Sequence, residues 1–173
     1  MQLIRESAEV YYAAERPAAV GDGDVAFLKA RALENERLRS RLCLHESPAA
    51  SEHEMLIVHH RACYVRPHRH PVKSETLQVV EGEALAVIFD DDGRVATRMH
   101  LAPPGSGETF SYYMPAGAWH SVIILSTWFV FLEATAGPFL RSGTEFPDWA
   151  PDGSDAAAAA AYAAALCTEA VPG

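Results

Sequence analysis

The chain has 173 residues, 49% of them hydrophobic and 21% charged, which suits one globular domain and excludes disordered and fibrous classes. Its net charge of −9 removes the electrostatic basis for broad binding to nucleic acid or an anionic membrane. No apolar stretch approaches the ~20 residues of a membrane span, and Met1-Gln2-Leu3-Ile4-Arg5-Glu6 lacks the basic start and apolar run of a signal peptide. A cytoplasmic protein is expected. Three cysteines (Cys43, Cys63, Cys167), with no Cys-x-x-Cys, argue against a disulfide scaffold or a cysteine zinc site.

Taken in chain order, residues 1–21 mix short β-prone pieces such as Val10-Tyr11-Tyr12 with Pro and Gly. Residues 24–42 are expected to be helical, with Asp24 as N-cap and Val25, Leu28 and Ala32 on one face, followed by Leu38 and Leu42. From His53 the texture changes. Apolar, β-branched or aromatic runs at 55–58, 63–65, 76–80, 84–89, 110–113, 119–125 and 128–132 alternate with turn signals, the pattern of an all-β sandwich or barrel. Asp92-Gly93 predicts a hairpin between the 84–89 run and the 94–101 segment. The aromatic and proline-rich stretch Phe146 to Pro151 is expected to pack over the barrel, and the Ala-rich 155–166 to form a short helix or tail capped by Ser154 or Asp155.

The resulting expectation is one all-β structural unit. Residues 1–52 form a strand, helix and loop extension packed on a barrel, 53–151 the barrel, and 152–173 an Ala-rich C-terminal tail.

Of eight histidines, His45, His53, His59, His60 and His100 carry little meaning singly. The segment 66–82 differs. His68 and His70, two apart, point to one face of an extended chain, and Glu75 follows after a short turn. Two imidazoles and a carboxylate form a facial set suited to a divalent first-row metal. Fifty residues on, Pro115 and Gly117 make a turn leading to His120, which can add a fourth ligand from across the barrel.

His68, His70, Glu75 and Gly82 have the spacing of the first motif of the cupin superfamily, and Pro115, Gly117 and His120 that of the second. The chain resembles that superfamily, which implies a cupin-type jelly-roll barrel. By resemblance, His68, His70, Glu75 and His120 are the metal ligands. The second motif departs where Thr109 and Ile124 stand for its leading Gly and trailing Asn, neither of them a ligand. Further stretches are similar to the WbuC family of cupin-fold metalloproteins: 39–45 (Arg39, Arg41, His45), 64–70, 87–93, 137–139 and 146–151. That resemblance implies a link to surface-polysaccharide (O-antigen) gene sets but no settled reaction.

The cofactor expected is one divalent transition metal, among Fe, Mn, Ni, Co, Zn and Cu, between which sequence does not choose. Around it, Arg66 and Lys73 are candidates to hold an anionic substrate group, whereas Arg69, between same-face histidines, should point away. One of Tyr112 and Tyr113 must face inward. Trp119 should face away from His120. Arg39, Arg41 and His45 follow the expected helix, and two readings stay open: they close one mouth of the barrel, or they sit as cations at the negative end of the helix dipole. Tyr112, Tyr113 and His45 are further candidates to bind the substrate, and with Glu133 they are the candidate acids or bases beyond the ligands.

Two functional classes follow. One is a metal-dependent enzyme acting on a small polar, anionic or sugar-derived substrate. The other is a module that binds or senses a small ligand through the same metal. A homodimer is expected from an exposed edge strand, which invites pairing, and from the apolar pieces near the chain ends (Val10-Tyr11-Tyr12, Trp149).

Overall fold

The computed structural model describes residues 2–168. The elements run β1 (Leu3–Arg5), β2 (Val10–Ala13), α1 (Asp22–Leu33), β3 (Arg39–Cys43), β4 (Glu52–His60), β5 (Glu75–Glu81), β6 (Ala84–Phe89), β7 (Val95–Leu101), β8 (Ser111–Met114), β9 (Trp119–Ile124), β10 (Trp128–Ala136) and α2 (Ala156–Thr168). The strands form two sheets, one of seven in the order β1-β2-β3-β4-β10-β5-β8 and one of three in the order β7-β6-β9. All pairings are antiparallel except β2 with β3. No helix among the described residues is long and apolar enough to cross a membrane.

Strand alternation assigns the layers. Met55 and Ile57 of β4, Leu77 and Val79 of β5, Phe129 and Phe131 of β10 and Tyr112 of β8 share one core cluster with Ala84, Ala86, Val122 and Ile124 of the small sheet. That cluster lies between the sheets. The opposite-facing Leu56, Val58 and Val130 pack with Leu28 of α1, and Val87, Phe89 and Ile123 of the small sheet pack with Leu166 of α2. Each sheet is therefore apolar on both faces, because each has a helix on its outer side.

The N-terminal helix is shorter than its residues suggest. It runs to Leu33, and the chain then turns and enters β3. The Asn35 amide donates to the carbonyls of Arg31 and Arg39, at 3.0 and 2.8 Å, and Leu38 takes the left-handed conformation, φ 51°. A side chain competing for the last carbonyls ends the helix. Residues 39–43 read as helix because Leu38 and Leu42 keep a four-residue spacing, yet their alternating burial is that of a strand. Asp24 is the third helical residue rather than the cap; its carboxylate accepts the Gly21 amide at 3.0 Å. At the other end, Asp155 caps α2 by accepting the amides of Ala157 and Ala158. Residues 169–173 of the expected tail lie outside the described residues. The 63–65 run forms no strand, whereas the other six expected strands are present.

The 84–89 and 95–101 strands pair as a hairpin, with Gly93 at φ 83° and the Asp90 carboxylate accepting the amides of Asp92 and Arg94. The apolar pieces that suggested a homodimer are used within the chain: Tyr11 is buried against Phe27, and Trp149 packs on Phe89 and Trp119.

Gly82, at the turn from β5 to β6, has φ 79°, and a Cβ there would collide with the Trp128 carbonyl oxygen. Both the backbone conformation and the space require glycine. The Gly82→Ala variant should lose more than about 2 kcal/mol of stability, measured by urea denaturation.

Candidate metal centre

The histidines converge because an extra strand-like segment is laid against the small sheet. His68 and His120 exchange backbone hydrogen bonds (His68 N–H to His120 O 3.0 Å, the reverse 2.9 Å), and the Gly117 amide donates to the His70 carbonyl at 2.8 Å. On its other side the same segment exchanges bonds between Arg69 and Glu145 at 3.1 and 3.0 Å. Residues 68–70 are thus pinned as an extended chain, which turns both imidazoles inward and Arg69 outward. His120 points between the sheets with Val122 and Ile124, while Trp119 faces α2. Glu75 arrives from the opposite sheet, as the first residue of β5 on its inner face.

The three rings gather at inclined angles, with centroids 4.4 Å apart for His68 and His120, 5.2 Å for His68 and His70, and 6.0 Å for His70 and His120. One nitrogen of each lies within 4.8 Å of the others, a group that could hold a metal ion. The other nitrogen is committed elsewhere. Nδ1 donates to a backbone carbonyl in each case: His68 to Arg66 (2.9 Å), His120 to Ala118 (2.9 Å) and His70 to Gly143 (3.1 Å). A carbonyl only accepts, so Nδ1 carries the proton, and in the neutral ring Nε2 is left with its lone pair. Metal-binding imidazoles are oriented by this kind of outer contact. Thr144 Oγ1 also approaches His70 Nδ1 at 3.3 Å.

The Glu75 carboxylate completes the cluster, 3.0 Å from His120 Nε2 and 3.4 Å from His70 Nε2. His120 is 3% exposed and Glu75 7%. Although His120 Nε2 lies close to Glu75, it makes no well-directed hydrogen bond, leaving a buried polar atom aimed at the centre. Burial, then the neighbouring His120, pushes the His68 pKa down to about 3, so this ring stays neutral. Burial opposes the ionisation of Glu75, but the contacts from His120 and His70 prevail and hold its carboxyl well below the usual range. For His120 burial favours the neutral ring, and the Glu75 carboxylate outweighs it and raises the pKa. Three nitrogen donors and one oxygen donor of this charge fit a divalent first-row metal.

The other expected site residues separate. The Arg66 guanidinium donates to the Pro147 carbonyl at 2.8 Å and stacks 5.0 Å from the Phe146 ring, which lies 6.3 Å from that of His68. Lys73, half-buried, lies within electrostatic reach of His53. Tyr112 is buried and faces between the sheets, whereas Tyr113, 66% exposed, faces away. His45 stacks on His53 with centroids 4.0 Å apart, outside the three-histidine cluster. Because Arg39 and Arg41 lie on β3, they are not cations at a helix end, and that alternative falls. Arg69 points away as expected, paired with Glu145 at 2.7 Å and stacked on Trp119. Burial raises the thiols of Cys43 and Cys63 to about 11, so both are inert at neutral pH.

Glu133 lies on the same face of β10 as Phe129 and Phe131, paired with Leu77 on one side and Met55 on the other. Burial, reinforced by the charge of Glu75, raises its pKa to about 7. The sequence signal was this acid keeping the alternation of an apolar strand. The supporting contacts from Gly143, Thr144 and Phe146 left no such signal, since they come from an irregular segment.

Residues 22–101, just under half of the chain, match a family model described as "Domain of unknown function (DUF6016)". No curated protein matches. Among solved structures, the chain is similar to an oxalate decarboxylase variant of Bacillus subtilis, at 20% identity and a TM-score of 0.49 over 62% of this chain and 27% of that one. It is also similar to KdgF from Halomonas sp. (15% identity, TM-score 0.46, 60% of this chain and 82% of that one). A third is an oxalate oxidase in complex with the substrate analogue glycolate (18%, TM-score 0.45, 56% and 46%). The chain spans about a quarter of the length of the decarboxylase.

Proposed function

We propose that this chain is a cupin-type metal-binding protein that works as a metal-dependent enzyme on a small polar substrate, with His68, His70, Glu75 and His120 as ligands. The observation that carries this reading is the commitment of all three Nδ1 atoms to backbone carbonyls while the opposite nitrogens converge beside a buried carboxylate. A bound divalent ion would supply Lewis acidity at that point. The chain's own residues do the rest. His68 and His120 hold the geometry through their mutual backbone bonds, and Phe146 with Arg66 covers the His68 ring from outside. Glu133, on the inner sheet face, is placed to hold or release a proton near neutral pH.

The alternative, a module that only binds or senses a small ligand, has no use for a proton-exchanging group at that position, and Glu133 favours the enzyme. The sugar-derived substrate and the surface-polysaccharide setting belong to the same proposal and rest on the resemblance to the WbuC family alone.

The test is metal analysis of protein purified without added metal, followed by a turnover screen with sugar nucleotides and small keto acids. About one ion per chain is expected, with turnover of one substrate class that falls at least tenfold in Glu133→Gln at unchanged metal content. Protein that binds no ion overturns the reading. Protein that binds an ion and a ligand without turning anything over is the binding module.

A further inference from the structure

The three imidazoles are not held alike. The carbonyls that accept from His68 and His120 stand two residues back in the same stretches, and those stretches are tied to each other by backbone bonds. The His70 acceptor, the Gly143 carbonyl, comes from 73 residues away. Beside it Thr144 Oγ1, at 3.3 Å, is a second acceptor within reach of the same N–H. The orientation of this one ring therefore depends on where residues 143–145 lie.

That segment runs between two anchored ends. Upstream, the Gly137 and Phe139 amides donate to the carbonyls of Ser51 and Pro48, at 2.9 and 2.8 Å. Downstream, the Arg66 guanidinium donates to the Pro147 carbonyl at 2.8 Å, and the Tyr64 hydroxyl to the Pro151 carbonyl at 2.9 Å. Residues 138–142 are all exposed, Leu140 at 59%. Backbone with so little buried contact opens at low cost. What holds residues 143–145 against the cluster is the paired backbone bonds of Glu145 with Arg69 and the ion pair of their side chains at 2.7 Å. The same guanidinium reaches Asp91 at 3.8 Å and lies 4.4 Å from the Trp119 ring centre. Because Arg69 stands between His68 and His70, this contact closes on the ligand segment itself.

We propose that residues 143–145 are a latch on the metal centre: Glu145, bound to Arg69, places Thr144 and the Gly143 carbonyl, these orient His70, and opening the latch frees His70 from the ion before the other ligands. This inference rests on the metal-centre reading and deepens it by assigning how the ion is kept and released. Thr144 and Glu145 are positioning residues, acting through His70. The coupling is reciprocal: whatever the latch adds to metal affinity, bound metal adds to closure of the latch. Outer partners of a ligating histidine typically change metal affinity by about 10–100-fold. The ion pair, partly exposed to water, carries the smaller share of that effect.

The experiment loads the full chain with cobalt(II) and follows its visible absorption, its loss to excess EDTA, and amide hydrogen exchange with and without the ion. Thr144→Val should lose cobalt at least about fivefold faster than the wild type and shift the spectrum, because His70 loses an acceptor. Thr144→Ser, which keeps the hydroxyl, should return both close to the wild type. Glu145→Gln, which breaks the ion pair and keeps the backbone bonds, should speed the loss by about twofold or more. Glu81→Gln, which breaks the remote pair with Lys29, should change neither readout. In the wild type, cobalt should slow exchange of the Glu145 amide by about tenfold or more, and by more than it slows amides of β1 at the far edge of the large sheet. Wild-type rates of loss in Thr144→Val or Glu145→Gln, a Thr144→Ser protein that behaves like Thr144→Val, or protection of Glu145 no greater than that of β1 overturns this inference alone. Should Thr144→Val fail to fold, the exchange measurement on the wild type decides. A wild type that takes up no cobalt overturns the metal reading, and this inference with it.

Discussion

Replacing His120 by alanine should strip the protein of bound metal while the two sheets remain. His120 is the most buried of the three histidines, and its Nε2 is the atom with no well-directed hydrogen bond. The change removes one of four donors. Loss of an outer-shell partner alone typically costs 10–100-fold in metal affinity, so loss of a ligand should cost on the order of 100-fold or more. The fold should survive because the bonds tying His68 to His120 are made by the backbone, which alanine keeps. After dialysis against metal-free buffer, elemental analysis should find about one ion per wild-type chain and almost none in the variant, with matching circular dichroism. Full metal content in a folded His120→Ala protein would mean that the ion binds elsewhere.

Added metal should raise the melting temperature strongly at pH 7.5 and only weakly at pH 5. A ligand present at a hundredfold its Kd stabilises by about 2.7 kcal/mol, which for a chain of this size corresponds to about 5–10 °C. The ligands must be deprotonated to bind. Burial, then His120, depresses the folded pKa of His68 to about 3, whereas in the unfolded chain an imidazole titrates near ~6.5. Above pH 6.5 the His68 ring is neutral in both states and does not oppose the metal. As pH falls below the unfolded value, only the unfolded chain takes up the His68 proton, which lowers stability with and without metal alike; the loss specific to metal comes from His120, whose pKa the Glu75 carboxylate raises over the opposing effect of burial, so that a proton on its ring competes with the ion as pH falls. Glu75, depressed in the folded protein by its histidine contacts over the opposing effect of burial, follows the same trend at lower pH. Scanning calorimetry with and without metal at both pH values checks this. A shift of equal size at pH 5 and 7.5, or one that persists in His68→Ala, would exclude these histidines as ligands.

The four proposed donors could be named without coordinates because their spacing is local chemistry. Two residues on an extended segment share a face whatever the surrounding fold, and a Pro-x-Gly turn can deliver a histidine to a strand in the same way. The strands from residue 52 onward were legible for a related reason: alternation and turn residues are set by neighbours along the chain. Where local signals conflicted, the reading failed. Leu38 and Leu42 kept a helical spacing through a turn that Asn35 and the left-handed Leu38 actually make, so β3 was hidden.

By itself, then, the sequence determined the mostly β character, the hairpin at Asp92-Gly93, the outward Arg69 and Trp119, and the histidine pair that shares a face. Only the tertiary structure decided which nitrogen of His70 is free, because that depends on the Gly143 carbonyl from a separate segment; for His68 and His120 the accepting carbonyls, of Arg66 and Ala118, stand two residues back in the same extended stretch. It also decided that Arg66 is held by Pro147 and Phe146, and that Glu133 pairs with the core residues Met55 and Leu77. Contacts such as Arg66 with Pro147 and His70 with Gly143, 81 and 73 residues apart, are made by the folded chain as a whole, and the composition and spacing of a single segment carry no record of them.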